Sequence, residues 1–300
     1  MDVLQQRLRR LFAFRRGVLA LDTEPAELAA RLRAASVVPS PRMVEDYIAM
    51  LLYAPGLPAA VSGVVLRADR FDSSLPEVLG ASGILAGVRA DTGHETLTGD
   101  ARHRVTSGLD GLAARLIRLR ELGATFAVWS AVAGAEADDR AMQILTANGH
   151  AAARFAHLCH DLGLVAVIRI GTRVGGVTGP RRDATMAAAL LSVGGYFYDH
   201  GVDASTVVVC AELGDDSALP LTVLPDELGG VLLGGHGDTS TAAAVAAGLG
   251  LAPPWPVGFY AGHQITTAAL RAWRGHAVDD GRRALLAGLD AVSAPAARVG

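Results

Sequence analysis

The sequence predicts an α/β protein, a single (β/α)8 TIM barrel. Three observations carry that expectation. Short β-branched apolar runs alternate with Ala/Leu/Arg-rich stretches of helical period, the pattern of repeated βα units around a parallel sheet. The runs number eight, as a closed barrel of this type requires. No linker rich in Pro, Ser and charge divides the 300 residues, so they read as one domain, 1–300, since such barrels run to about 250 residues as a unit.

The strands follow in order. "GVLALD" (17–22), "VSGVVLR" (61–67), "GILAGVRAD" (83–91) and "ATFAVWSAV" (124–132) make the first half. "LVAVIRI" (164–170), "TVVVCAE" (206–212), "GVLLGG" (230–235) and "VGFYAG" (257–262) make the second. Each is short, rich in Val, Leu, Ile or aromatic residues, and bounded by Gly or polar residues. Helices are expected over 24–34, 43–53, 108–121, 138–162, 182–200, 239–249, 264–273 and 280–291. Start and stop signals support them, such as the Asp-Gly in "GLDGLAARL" and the glycine that ends "RLRELG". Before the first strand, Leu4, Leu8, Leu11 and Phe12 fall on one helical face. Residues 1–16 are therefore expected to form a helix docked on the barrel.

Composition narrows the function. All 27 Lys plus Arg residues are arginine, so the chain holds no lysine. Mechanisms in which a side-chain amine forms a Schiff base are closed to it. A net charge of −3 argues against a nucleic-acid partner. Cys159 and Cys210 are too few for a disulfide framework, and "MDVLQQRLRRLFAFRRG" has no apolar core of a signal peptide. The expected location is cytoplasmic. No run approaches the ~18 to 20 uncharged apolar residues of a membrane span. Nothing in the motifs calls for a cofactor.

In such a barrel, the residues at the carboxyl ends of the strands make the site. Reading them off gives Asp22, Arg67, Arg89 with Asp91, Ser130, Arg169, Cys210 with Glu212, and His236 with Asp238; the last strand ends at Gly262 and His263. Arg89 and Arg169 need carboxylate or phosphate partners, because buried charges are paired. Those partners are either Asp22, Asp91 and Glu212 or an anionic substrate. Cys210 reads as a nucleophile if a guanidinium such as Arg169 lowers its pKa, and otherwise as a small core residue. "GGHGDTS" places Gly-rich backbone before a helix, an arrangement that favours phosphate. His236 and His263 suit acid/base work. A metal set of His236, Asp238 and His263 can be drawn, but three ligands from two loops are weak grounds, and no metal is expected.

Several segments together resemble class I fructose-bisphosphate aldolase. "GVLALDTEPAELAARL" is similar to the family's G-I-L-A-A-D-E-S and the helix after it, "GVRADTG" to I-K-V-D-K-G, and "TSGLDGLAARL" to T-Q-G-L-D-G-L. "GATFAVWS" resembles G-A-D-F-A-K-W-R, and "GFYAGHQITTAALRAW" resembles F-S-Y-G-R-A-L-Q-A-S-A-L-K-A-W. The resemblance runs from about Gly17 to Gly275 and implies an aldolase barrel, in a family that commonly forms tetramers, hence a homo-oligomer. It also implies where the chain departs. Aligned without a gap, Cys210 stands at the Schiff-base lysine, Val128 and Ser130 at a lysine and an arginine of the fourth strand, and Arg89 at the third-strand lysine. Arg169 and Gly171 replace the two glutamates of V-E-P-E. In the phosphate loop S-G-G-Q, Leu233 replaces the serine, Gly234 and Gly235 persist, and His236 ends it. His263 replaces the last-strand arginine. Asp22 and Asp91 are retained.

The expectation is a repurposed lyase, isomerase or cyclase that cannot use Schiff-base aldol chemistry. Asp22, Cys210, His263 and Arg169 would be catalytic. Arg89, Asp91, Ser130, Glu212, Gly234, Gly235 and His236 would bind a small anionic substrate. The lysine-free, Ala/Gly/Arg-rich composition resembles proteins of GC-rich bacteria, where relatives are recruited into specialised metabolism. The alternative is a non-catalytic pseudo-aldolase acting as a sugar-phosphate sensor or interaction subunit.

Overall fold

The computed structural model describes residues 3–13, 16–71, 74–97, 103–132, 141–171, 179–213, 219–235 and 253–293. Eight parallel strands close on themselves: β1 (Gly17–Leu21), β2 (Val61–Leu66), β3 (Leu85–Arg89), β6 (Phe126–Val132), β7 (Val165–Gly171), β8 (Val207–Leu213), β9 (Gly230–Gly235) and β10 (Val257–Ala261). Their order around the barrel is β1-β10-β9-β8-β7-β6-β3-β2. These are the eight runs expected from sequence, each within two residues at its ends. A hairpin that periodicity did not signal, β4 (Gly93–Thr96) with β5 (Arg104–Ser107), stands between β3 and β6.

The helices outside the barrel include α2 (Pro25–Ala34), α3 (Pro41–Leu52), α4 (Leu57–Ala60), α5 (Leu75–Ala81) and α6 (Leu112–Glu121). The second half adds α7 (Ala141–Asp161), α8 (Pro180–Asp199), α9 (His263–Trp273) and α10 (Val278–Ser293). Local chemistry sets their starts. Pro41 opens α3 behind Ser40, whose hydroxyl accepts the Met43 amide at 3.2 Å. The helix expected over 239–249 lies outside the described residues.

Two apolar clusters divide the molecule. One fills the shell between strands and helices; the other fills the barrel itself and includes Val18, Ala20, Val65, Val128, Val167, Val208, Cys210 and Tyr260. Residues two apart on a strand share a face, so these positions fix which strand-end residues point inward.

Aromatic rings need room in so narrow an interior, and glycines supply it. A Cβ at Gly87 would lie 2.1 Å from the Phe126 ring, and one at Gly63 3.1 Å from it. The amino-terminal end is plugged by α1 (Val3–Leu11). Its Leu4, Leu8 and Leu11 join the interior cluster, each contributing roughly 1.5–3 kcal/mol by burial. Ser62 donates its hydroxyl to the Leu11 and Gly17 carbonyls, and Arg7 reaches the Gly163 carbonyl. With that end filled by α1, the carboxyl ends of the strands form the other rim.

Candidate active site

Arg169 organises the open end. Val165 and Val167 on the same strand face the interior, so Arg169 does too. Counted around the barrel, β7 stands opposite β1, and the guanidinium crosses the interior to reach Asp22. Nη1 lies 3.9 Å from Asp22 Oδ2, and Nε lies 3.7 Å from Glu212 Oε1 on the neighbouring β8. The Tyr260 ring on β10 lies 6.0 Å from the guanidinium carbon. Burial works against the charge, but Tyr260, Asp22, Glu212 and Cys210 outweigh it and hold Arg169 firmly protonated, above its ordinary range.

Glu212 occupies its place because residue 171 is glycine. A Cβ there would stand 2.5 Å from Glu212 Oε2 and 2.9 Å from its carboxyl carbon. The carboxylate thus fills space on the β7 side that a larger residue would take. The cation thus stands on β7 and the carboxylate on β8.

A second ion-pair network lines the β1–β3 side. Arg89 pairs with Asp91 at 2.8 Å and with Glu24 at 2.6 Å; Arg67 pairs with the same Glu24 at 2.6 Å and with Asp69 at 3.2 Å. Burial opposes the charge of Arg89, but Asp91, Asp22 and Glu24 raise its pKa above the usual value. Asp91 also accepts the Gly93 amide and the Ser130 amide, each at 3.1 Å. This carboxylate ties β3, the hairpin and β6 together. Residue type alone suggested that Arg89 and Asp91 bind substrate; the geometry commits both to neighbouring protein groups first.

Ser130 stands in register with Arg169, and Arg169 with Cys210. The Ser130 hydroxyl is buried and meets no hydrogen-bond partner, and so is the Tyr260 hydroxyl. Arg169 approaches Tyr260 closely enough to favour its ionised form, though not in hydrogen-bond geometry. Burial dominates, with Asp22 adding to it, so the phenol pKa lies well above its normal value. Tyr260 stays protonated.

Cys210 has no exposed surface. Burial first, then Glu212 and Asp22, push its thiol up, and Arg169 opposes this without reversing it. That is the environment of a core thiol rather than of a nucleophile, which must be thiolate. Cys159 in α7 is buried and shifted in the same direction.

His263 opens α9 with its side chain 62% exposed, and Nδ1 lies 3.4 Å from Glu27 of α2. Its backbone carbonyl and the hydroxyls of Thr266 and Thr267 receive Arg31. The structure therefore pairs His263 with Glu27 of the outer helix α2. Gly234 lies close to the cluster: a Cβ there would be 3.7 Å from Glu212 Cγ and 3.9 Å from Cys210 Sγ. Gly235 ends the same strand. His236 and Asp238 lie outside the described residues. Among the described residues, no group of three or more His, Cys, Asp or Glu is arranged to hold a metal ion. No helix among them is long and apolar enough to cross a membrane.

Of the expected residues, the fold brings together Asp22, Arg169, Cys210, Glu212, Ser130 and Gly234. Two neighbours escaped the sequence reading. Tyr260 had a signal, the alternation Gly258, Tyr260, Gly262 that aims its ring inward. Glu24 had none beyond following Asp22 by two residues.

The profile described as Fructose-bisphosphate aldolase class-I matches residues 3–187. The chain is 28% identical over 303 residues to a probable fructose-bisphosphate aldolase class 1 of Xylella fastidiosa, covering 91% of this chain and 90% of that one. It is 29% identical over 289 residues to a protein so described from Xanthomonas axonopodis pv. citri, covering 86% and 85%. The solved fructose-bisphosphate aldolase of Plasmodium falciparum has the same fold, with a TM-score of 0.83 at 21% identity over 97% of this chain and 93% of that one. With a profile match across well over half its length and relatives aligned nearly end to end, the chain belongs to the class-I fructose-bisphosphate aldolase family.

Proposed function

We propose that this family member is an enzyme that works without a Schiff base, by proton transfer at the Asp22–Arg169–Glu212 cluster on a small oxygen-rich substrate. One observation carries the reading: a lysine-free chain holds a guanidinium across its barrel between two carboxylates, at 3.9 and 3.7 Å. A decayed site would be expected to fill with apolar side chains, since buried charge is costly unless it is used or paired.

The chemistry follows from those groups. A carboxylate, Asp22 or Glu212, takes a proton from the carbon next to a substrate carbonyl. The C–H electron pair moves to the carbonyl oxygen, and the resulting enolate is stabilised by the Arg169 guanidinium, which takes the place of the imine as electron sink. From that enolate, reprotonation gives isomerisation, loss of a β-substituent gives elimination, and attack on a second carbonyl gives condensation or ring closure. No bond to the protein forms in any of these. Cys210, His263 and Arg89 have no part in the step.

Arg89 and Arg169 both already face carboxylates, so neither is the group we propose for holding a substrate anion. A cytoplasmic location remains our expectation.

Borohydride reduction in the presence of dihydroxyacetone phosphate or fructose 1,6-bisphosphate tests the reading. Intact-mass analysis should show no added mass. A reduced adduct on the protein would sink it.

A further inference from the structure

Outside the barrel, α7 and α8 bring two histidines together. Nε2 of His200 lies 3.1 Å from Nδ1 of His150, 50 residues away in the chain. The ring centroids are 4.8 Å apart and the planes cross at 64°. His150 is exposed and His200 half-buried, so the pair lies at the surface. Two imidazole nitrogens at this distance have room for one proton between them, and one ring must present a lone pair to the other.

The two helices hold this pairing through their backbones. A Cβ at residue 149 would lie 2.5 Å from Tyr196 Cδ2, so Gly149 lets α7 settle against the Tyr196 ring. Glycine is otherwise a poor residue for a helix interior. Across the same seam, Ser192 donates its hydroxyl to the Leu145 carbonyl at 3.0 Å. Tyr196 stands edge-on to His150, with centroids 6.2 Å apart, and is tilted against His200 at the same distance. His200 caps α8, and its amide donates to the Tyr196 carbonyl at 3.0 Å. Both rings thus stand on helix or helix-cap backbone, the rigid support that a preorganised ligand pair needs.

We infer that His150 and His200 form a surface site for one borderline divalent cation, zinc or copper(II), which clips α7 to α8 with water completing its shell. The site is separate from the proton transfer proposed above. Imidazole nitrogens bind such ions at about 2.0–2.1 Å. Two of them then lie about 2.9–3.4 Å apart, for coordination angles from square to tetrahedral, and the observed separation falls inside that range. The carboxyl end of α8 carries partial negative charge, which favours a cation beside His200. Burial first, then His200 and Arg154, lower the pKa of His150. The ring is therefore mostly neutral at pH 7, the form that ligates a metal. The Arg154 charge also repels a cation, and among the described residues no third His, Cys, Asp or Glu joins the pair. Its affinity is accordingly below that of a closed site with three or four protein ligands.

The test uses the full chain, freed of metal by chelation, with copper(II) sulfate and zinc chloride alone as probes. The copper(II) EPR spectrum of wild type at one equivalent should show coupling to two imidazole nitrogens. In equilibrium dialysis, His150→Gln and His200→Gln should each bind the ion at least about tenfold more weakly. Loss of an outer-sphere partner alone costs about 10- to 100-fold, and loss of a ligand costs no less. Zinc should raise the unfolding midpoint of wild type and leave that of each variant where it was. Coupling to one nitrogen or none would overturn the inference, and so would equal binding by wild type and either variant.

Discussion

Replacing Arg169 by methionine removes the cation and keeps most of the side-chain volume. The two carboxyl groups it serves are then left in a site where the guanidinium was only 15% exposed. At separations of 3.9 and 3.7 Å, each pair is worth about 4 kcal/mol of gross Coulomb energy at an effective dielectric near 20. Desolvation of the guanidinium offsets much of that. Breaking a buried ion pair from one side costs about 3–5 kcal/mol, and we expect a loss near 3 kcal/mol because neither contact reaches hydrogen-bond length. Urea unfolding of wild type and Arg169→Met at pH 7 reads this directly. Equal stability of the two proteins, or a more stable variant, would refute the view that Arg169 compensates Asp22 and Glu212.

Other consequences follow from the same geometry. Gly171→Ala places a methyl group 2.5 Å from Glu212 Oε2 and should destabilise the protein by about 1–3 kcal/mol; Gly234→Ala, whose nearest neighbour lies at 3.6 Å, should cost much less, and calorimetry compares them. Both cysteines are buried with raised thiol pKa values, so the folded state holds protons that the unfolded chain releases above about pH 8.5. Stability should therefore fall as pH rises past that point, by up to about 1.4 kcal/mol per unit for each thiol, and the Cys159→Ala/Cys210→Ala pair should flatten the curve. Neither thiol should react with iodoacetamide in the native protein at neutral pH; prompt alkylation of Cys210 would contradict its place inside the barrel. Leu11→Ala, at a site with no exposed surface beneath the barrel, should cost about 2–5 kcal/mol in urea unfolding.

Much of the fold was legible because each barrel strand is a short apolar run that both its faces bury. "GVLLGG" and "VGFYAG" differ little in composition from loops, yet their glycines mark strand interiors where a ring or carboxylate approaches closely. The β4–β5 hairpin was not legible. Its strands, "GHET" and "RVTS", are half-buried and polar, and Asp91, Asn148 and the Ser130 carbonyl hold it rather than an apolar face. The candidate site was legible by position, but not by the partners each side chain meets. Strand-end counting found Asp22, Arg169, Ser130 and Glu212, but it could not show that Arg169 spans the barrel, because no local pattern records which residue stands opposite. His263 follows the last strand directly and was placed with the site, whereas the immediate start of α9 turns it towards Glu27. Tyr260 was passed over as one more aromatic in an apolar strand. Its lack of a hydrogen-bond partner is a property of the folded interior alone.

Proton transfer without a covalent adduct can be read by incubating the protein with dihydroxyacetone in D2O and following the C–H signals by proton NMR. Deuterium should be incorporated above the buffer rate, and this exchange should be lost or cut by at least about a hundredfold in Asp22→Asn or Glu212→Gln and unchanged by His263→Ala. Exchange no faster than buffer, or exchange that survives both carboxylate substitutions, would contradict it.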